Sequence, residues 1–367
     1  MSFDKTFHKK YIGAAQNMQQ LKDNSIDLVV TSPPYPMIEM WDEIMGLQNP
    51  KITTALDNNE AHLAFELMHV ELDKIWAETA RVLKDGGFAC INIGDATRTI
   101  DKKFALYPNH SRIISAFQKL NISNLPNIIW RKQTNAPNKF MGSGMLPSGA
   151  YVTLEHEWVL IFRKGGKREF KKTEDKLRRQ QSAFFWEERN VWFSDLWDLK
   201  GTKQKINNSK TRLRSAAYPF ELPYRLINMY SLKNDVVLDP FLGTGTTTLA
   251  AIASQRNSVG YEIDEKFIEI IDENIENTPL DFLNFNIDNR ITKHREFIVN
   301  RQKDPKKKPI KHYNENLKVP VITGQEKNMS FSYVKEIIKK KEEFLAHYSE
   351  VKPAEIIPPT LIASAKT

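Results

Sequence analysis

Cysteine is almost missing from this chain: Cys90 is the single one in 367 residues. That excludes a disulfide framework and a cysteine-rich zinc site, and makes a reducing compartment, the cytoplasm, the expected setting. Long apolar runs are missing too, so no segment reaches membrane-spanning length. The early lysines Lys5, Lys9 and Lys10 are not followed by the apolar block of a secretory signal. The eight histidines are scattered. His156-Glu157 has no second histidine at position 160, which removes the metalloprotease helix, and no resident metal is expected. There are no internal repeats. Acid is outweighed by base: 53 Lys and Arg against 45 Asp and Glu leave a net charge of +8, which suits a polyanionic partner.

Two stretches organise what is present. The first is Ile26-Asp27-Leu28-Val29-Val30-Thr31-Ser32-Pro33-Pro34-Tyr35. Ile26 to Val30 is a nearly continuous apolar, β-branched run, which predicts a buried strand of a parallel sheet. The two prolines fix φ and remove donors, so the ladder stops there. A stiff loop at the carboxyl end of a parallel strand is where open α/β sheets place ligands. Ser32 brings a hydroxyl acceptor to that edge and Tyr35 a flat face. Taken alone, the same residues also read as a plain stiff turn.

The second stretch, Asp235 to Thr248, follows the same plan. An apolar strand ends in Asp239, a turn containing Gly243 and Gly245 follows, and an alanine-rich helical run occupies Leu249 to Ala253. The glycines let backbone approach a ligand and take positive φ. No lysine follows Gly245, so this is not a phosphate-cradling P-loop. Thr248 stands where a third glycine would complete the dinucleotide fingerprint. A third strand, Ser258 to Asp264, places Glu262 about 20 residues after the first glycine, where nucleoside-binding folds grip ribose hydroxyls. Each carboxylate also has a plainer reading as a helix cap or surface residue.

Thr31-Ser32-Pro33-Pro34-Tyr35, followed by Asp239-Pro240-Phe241-x-Gly243-x-Gly245-Thr246 and Gly260-x-Glu262-Ile263-Asp264, resembles the S-adenosylmethionine-dependent amino-methyltransferases that act on DNA. The catalytic loop precedes the cofactor loop, as in the circularly permuted β class of that family. The resemblance spans roughly residues 10 to 275. It implies an α/β, Rossmann-like methyltransferase fold with a mostly parallel, doubly wound and circularly permuted sheet. It implies S-adenosylmethionine as cofactor and double-stranded DNA as partner. Ser32, Pro33, Pro34 and Tyr35 are the catalytic residues it implies. Its cofactor pocket would be built from Thr31, Asp239, Pro240, Phe241, Gly243, Gly245, Thr246, Glu262, Ile263 and Asp264, with Pro219 and Phe220 as a wall. Asp239 would lie near the methionine ammonium, Glu262 on the ribose and Asp264 toward the adenine. The family carries an acidic residue after the glycine of its first strand; Ala14 stands there in this chain.

Serine at the position of Ser32 goes mostly with N4 of cytosine in that family, and Asp or Asn with N6 of adenine. N4-cytosine is therefore the expected target and N6-adenine the alternative. A catalytically inactive DNA-binding relative, and an RNA or protein amino-methyltransferase, are rival classes. Membership of a restriction-modification system is implied, with a cognate endonuclease acting on the same sites; a homodimer is left open. Cytosine C5 chemistry needs a thiolate after a proline, whereas Cys90 follows Ala89 in mid-strand and reads as a core residue.

Four regions are expected: a catalytic half at 1–162, a target-recognition region at 163–215, a cofactor half at 216–276 and an extension of unassigned role at 277–367. Residues 1–8 are expected to be poorly ordered, 14–21 to form a short helix and 36–60 a mobile segment over the catalytic loop. A helix from Leu72 is expected to stop at Gly86 and Gly87, before the buried strand Phe88 to Gly94. Asp95 either caps locally or faces substrate. Another helix is expected at 111–120 and further strands at 128–130 and 157–162. Between those strands, Gln133 to Ala150 is a long loop expected to approach DNA. Residues 163–215 hold 16 basic and seven acidic residues, with Phe184, Phe185, Trp186, Trp192, Phe193 and Trp197 interleaved. They form either a DNA-docking surface or a satellite core with a solvated rim. Lys303 to Lys311 is either a basic arm or a solvated linker, and Val334, Ile337, Ile338, Phe344 and Leu345 are spaced for one more amphipathic helix.

Overall fold

The computed structural model describes residues 4–132, 144–199, 218–341 and 343–351. In chain order the first elements are β1 (Lys5–Ile12), β2 (Ile26–Thr31), α1 (Asp42–Gln48), α2 (Pro50–Asp57), α3 (Ala61–Val82), β3 (Leu83–Ile93), β4 (Ala96–Ile100), β5 (Lys103–Tyr107), α4 (Asn109–Lys119), β6 (Ile122–Asn124), β7 (Ile128–Lys132) and β8 (His156–Lys164). After them come α5 (Thr173–Gln181), α6 (Trp186–Trp192), β9 (Leu196–Leu199), α7 (Glu221–Tyr230), β10 (Val236–Asp239), α8 (Thr246–Ala253), β11 (Asn257–Glu262), α9 (Phe267–Glu276) and α10 (Leu280–Gln302). The chain continues through β12 (His312–Asn314), β13 (Val319–Val321), β14 (Ser332–Lys340) and β15 (Glu343–Glu350).

One sheet runs in the order β14-β15-β1-β11-β10-β2-β3-β8-β7-β9, with β6 paired to β8. Its centre, β1-β11-β10-β2-β3, is wholly parallel. β2 is buried at every position, and its side chains alternate between two cores. Leu28 and Val30 join Cys90 on one face, and Val29 joins Ala89 and Ile91 on the other. Helices cover both faces, which is why the run is continuous rather than alternating. On the Val29 face α3 buries Leu72, Ile75 and Trp76, such side chains being worth about 1.5–3 kcal/mol each in transfer free energy. Chain direction around the sheet reverses between β10 and β2, so this pair forms the switch point of a doubly wound fold. The strand bearing the proline loop comes first in sequence and the strand bearing the glycine turn second.

Several expectations are corrected. The first strand already starts at Lys5 and is held between β11 and β15. Residues 14–21 are turns, not a helix. Residues 36–60 are ordered: α1 and α2 bury Met45, Ile52 and Ala55. Asn49 caps α2 by accepting from Lys51 N, and Pro50 opens it; the break between two short helices hid the period. Gly86 and Gly87 do not stop the preceding helix, which begins earlier, at Ala61, and ends at Val82. They lie in a bulge, where pairing with β2 jumps from Ile26↔Leu83 to Leu28↔Phe88. Gly86 takes φ +79° there, and a Cβ on Gly87 would come within 2.9 Å of two carbonyl oxygens.

The extension holds the largest surprise. Val334 to Leu345 is no helix but the β14–β15 hairpin, which extends the sheet through β15 against β1. A register shift between Val334 and Glu336 puts the apolar residues out of strict alternation, and the resulting spacing mimics a helix. Under it, α10 buries Ile287, Ile291 and His294.

Candidate active site

Because the central strands are parallel, the loops after β1, β2, β10 and β11 share one edge and enclose a single cleft. Its open space is about 1070 Å³, continuous with solvent. The sequence-predicted residues Ser32, Pro33, Pro34, Tyr35, Asp239, Pro240, Phe241, Gly243, Thr246, Glu262, Ile263 and Asp264 all line it. Thr31, Gly245, Pro219 and Phe220 do not. Thr31 is buried behind the loop, and Gly245 is the left-handed residue before α8, at φ +84°. Phe220 stacks on Tyr224 and meets Phe282 edge-on; its place on the wall is taken by Tyr218.

Asp239 joins the two strand tips. Its carboxylate accepts from Thr31 Oγ1 at 2.6 Å, Thr247 Oγ1 at 2.5 Å, Tyr218 OH at 3.3 Å and the Phe241 amide at 3.1 Å. Burial nonetheless pushes its pKa up to about 6, against those bonds. Burial by itself also raises Tyr218 well above the usual phenol range, with the Asp239 charge adding to it. At the tip of β11, Glu262 accepts from the amides of Gly243, at 2.8 Å, and Asp264, at 3.0 Å. Burial lifts its pKa to about 7 although both bonds favour the anion. The glycine turn is thus tied to the acidic tip across the cleft, and Gly243 adopts φ +53° to allow it.

At the other end, Ser32 Oγ donates to Tyr35 OH at 3.2 Å, and Tyr35 OH donates to Glu157 Oε2 at 2.9 Å. Asn92 Nδ2 donates to Tyr35 OH at 2.8 Å and to Glu157 Oε2 at 2.7 Å. Lys132 pairs with Glu157 Oε1. Burial, then the Glu157 charge, hold the Tyr35 phenol well above its ordinary value. The ring packs on Gly94, where a Cβ would come within 2.9 Å of Tyr35 Cε2.

Asn92, Glu157 and Lys132 were not among the residues expected from the sequence, nor were the cleft residues Gly13 to Gln16, Trp41, Ile44, Gln48, Ile75 and Tyr261. Asn92 and Glu157 carried a signal: each is a polar residue in an otherwise apolar strand, and buried polar groups need partners. Ala14 lines the cleft, and the polar residues beside it are Gln16 and Gln48, bonded to each other at 3.0 Å. Asp95 makes a local pair, accepting from His110 N at 3.1 Å and facing His110 Nδ1 at 2.7 Å.

The 163–199 segment divides. Arg168 and Arg178 pair with Asp235, and Arg168 with Asp27, at the amino ends of β10 and β2, the edge opposite the cleft. Phe185, Trp192 and Trp197 are buried. Glu188 pairs with Arg290 of the extension, and Glu187 with His294. For these residues the satellite-core reading holds. The remaining basic residues of the region, from Lys200 to Arg214, lie outside the described residues, as does most of the loop from Gln133, over 133–143. β9, which leads into the former, ends at Leu199 opposite Lys132, at the cleft edge.

A switch point flanked by a proline-aromatic loop on one strand and a glycine turn tied to an acid on the next defines an α/β methyltransferase. The family model described as DNA methylase matches residues 26–273, and the chain belongs to that family of DNA methyltransferases. It is 53% identical over 352 residues to the type II methyltransferase M.MthZI of Methanothermobacter thermautotrophicus, covering 95% of this chain and 97% of that one. To M.MjaI of Methanocaldococcus jannaschii it is 50% identical, over 75% of this chain and 93% of the relative. Among solved structures it is similar to TTHA0409 of Thermus thermophilus, a proposed DNA modification methylase complexed with S-adenosyl-L-methionine. That match has a TM-score of 0.57 and 30% identity, over 74% of this chain and 95% of that one. Among the described residues no helix is long and apolar enough to cross a membrane.

Proposed function

We propose that this methyltransferase acts site-specifically on double-stranded DNA, on the exocyclic N4 of a flipped-out cytosine, within a restriction-modification system. The observation that carries this reading is the meeting of Ser32-Pro33-Pro34-Tyr35 and the glycine turn across one cleft. S-adenosylmethionine, whose sulfonium supplies an activated methyl group, is the cofactor. The donor set fits it. The Glu262 carboxylate is aligned by two amides to accept ribose hydroxyls, and Asp264 stands beside it on the adenine side. Asp239 already accepts four protein donors, so it fixes the wall against which the methionine end lies. Pro240, Phe241, Gly243 and Thr246 offer backbone and surface between these points.

The exocyclic amino group of a base is a poor nucleophile because its lone pair is delocalised into the ring. The Ser32 hydroxyl and the Pro33 carbonyl accept its two protons, localise that pair and turn it toward the methyl carbon. Prolines fix the loop in advance, so these acceptors cost little to orient, and alignment supplies much of the acceleration. Bound S-adenosylmethionine would supply the methyl group and leave as the thioether, and the methylated nitrogen would give one of its protons to water in the solvent-open cleft. Inside a duplex the amino group is out of reach, so the base must be extruded. Tyr35 offers it a face to stack on, worth about 1–3 kcal/mol per base. Serine at position 32 favours cytosine over adenine by resemblance. Digestion of methylated plasmid to nucleosides, followed by mass spectrometry, tests this: N4-methylcytosine is expected, and N6-methyladenine alone would overturn the choice of base.

A further inference from the structure

Glu157 lies under the proline loop, almost fully buried, yet the reaction set out above gives it no task. Its oxygens are occupied by Tyr35 OH, Asn92 Nδ2 and Lys132 Nζ. We propose that Glu157 is a positioning residue that sets the direction of the hydrogen-bond chain ending on Ser32, and so keeps the Ser32 hydroxyl an acceptor toward the substrate amino group. The inference rests on the amino-methylation reading and deepens it.

The number of protons each group can give fixes the direction of the chain. A carboxylate only accepts, and a hydroxyl has one proton to give and two lone pairs to receive with. With Glu157 at its end, the chain runs one way. Tyr35 commits its single proton to Glu157 Oε2 at 2.9 Å, so its oxygen is left to receive from Ser32 Oγ at 3.2 Å. Asn92 enforces the same direction: its amide nitrogen only donates, and it gives to both Tyr35 OH and Glu157 Oε2. Ser32 thus points its proton away from the cleft; Asn92 Nδ2 approaches one of its lone pairs at 3.5 Å, and the other is kept for an incoming N–H. Burial keeps the Tyr35 phenol protonated, so the relay stays intact. Without the carboxylate, Tyr35 is free to reverse and donate to Ser32, occupying a lone pair the substrate needs. A terminal charge also polarises the chain in the low-dielectric interior and makes Ser32 a stronger acceptor.

The test is a double-mutant cycle with Glu157→Gln and Tyr35→Phe, read in single-turnover methyl transfer to duplex DNA. Glu157→Gln keeps shape and volume while removing the obligatory acceptor; Tyr35→Phe keeps the stacking face while removing the relay. Each single variant is expected to lose roughly tenfold to a hundredfold in rate, the range for one charge-assisted hydrogen bond. The double variant should be no slower than the slower single one. Glu157→Asp, which still only accepts, should recover part of the rate lost by Glu157→Gln. Cofactor affinity by calorimetry, and the fluorescence of 2-aminopurine at the target position, should stay as in the unmodified enzyme. Losses that multiply in the double variant would overturn the inference, as would an unimpaired Glu157→Gln or an equal fall in cofactor affinity or base flipping. An unmodified enzyme that moves no methyl group to DNA would overturn the functional reading itself.

Discussion

Glu262 offers a quantitative test of how the cofactor is held. In the free protein burial raises its pKa to about 7, whereas a ribose gripped by its oxygens requires the anion. The sign follows. Below pH 7 most free molecules carry a proton on Glu262 that must leave on binding, so affinity falls as pH falls; above 7 the anion is ready and affinity levels off. A group with pKa near 7 gives about a tenfold weaker dissociation constant at pH 6 than at pH 8. The ligand's own amino group titrates in this range, so the informative quantity is the ratio of dissociation constants for Glu262→Gln and the unmodified protein, measured by calorimetry at each pH. That ratio should rise about tenfold from pH 6 to pH 8. Asp239, raised to about 6, would add its dependence lower on the scale, and Asp239→Asn separates it. A ratio that stays flat between pH 6 and 8 would refute the assignment of the ribose to Glu262.

Other outcomes follow from the same geometry. Ser32→Ala should cut the single-turnover rate by about a hundredfold, the typical cost of one preorganised hydrogen-bonding group, while leaving the cofactor dissociation constant within about twofold; calorimetry beside rapid-quench kinetics separates the two. Thr31→Val removes a buried donor to Asp239 and should lower unfolding free energy by about 1–3 kcal/mol in urea titrations. Neutralising Lys203, Lys205 and Lys210 together should reduce the slope of log affinity for DNA against log salt by about one per lost phosphate contact. Neutralising Lys171, Lys172 and Lys176, which are exposed and flank residues anchored at the opposite edge, should leave that slope unchanged.

The strand tips were legible because their signals are local. Val29 and Val30 announce a strand covered on both faces, and Pro33 and Gly243 announce where the backbone must turn. Most predicted cleft residues lie within a few positions of those marks. What stayed hidden is set by tertiary partners. Glu157 is 122 residues from the tyrosine it receives, and nothing in its own neighbours says that the two meet. The aromatics around α6 read as a DNA surface or a core, and the extension decides for the core at Phe185, packed with Ile287 and Phe331, and at Trp192, whose ring lies under Arg290. The β14–β15 hairpin was misread because one bulge shifted the phase of a short apolar pattern, and period is the main cue distinguishing strand from helix.

The bond between Thr31 and Asp239 spans 208 positions of sequence, and Thr6 reaches Tyr348 across 342. Closing such long loops costs entropy that only the finished contacts return. A chain still emerging from the ribosome therefore carries the proline loop with no opposite wall until the strand ending at Asp239 has been made. The cleft is therefore completed late, and circularly rejoining the chain between the two strand tips would change the order in which its walls form.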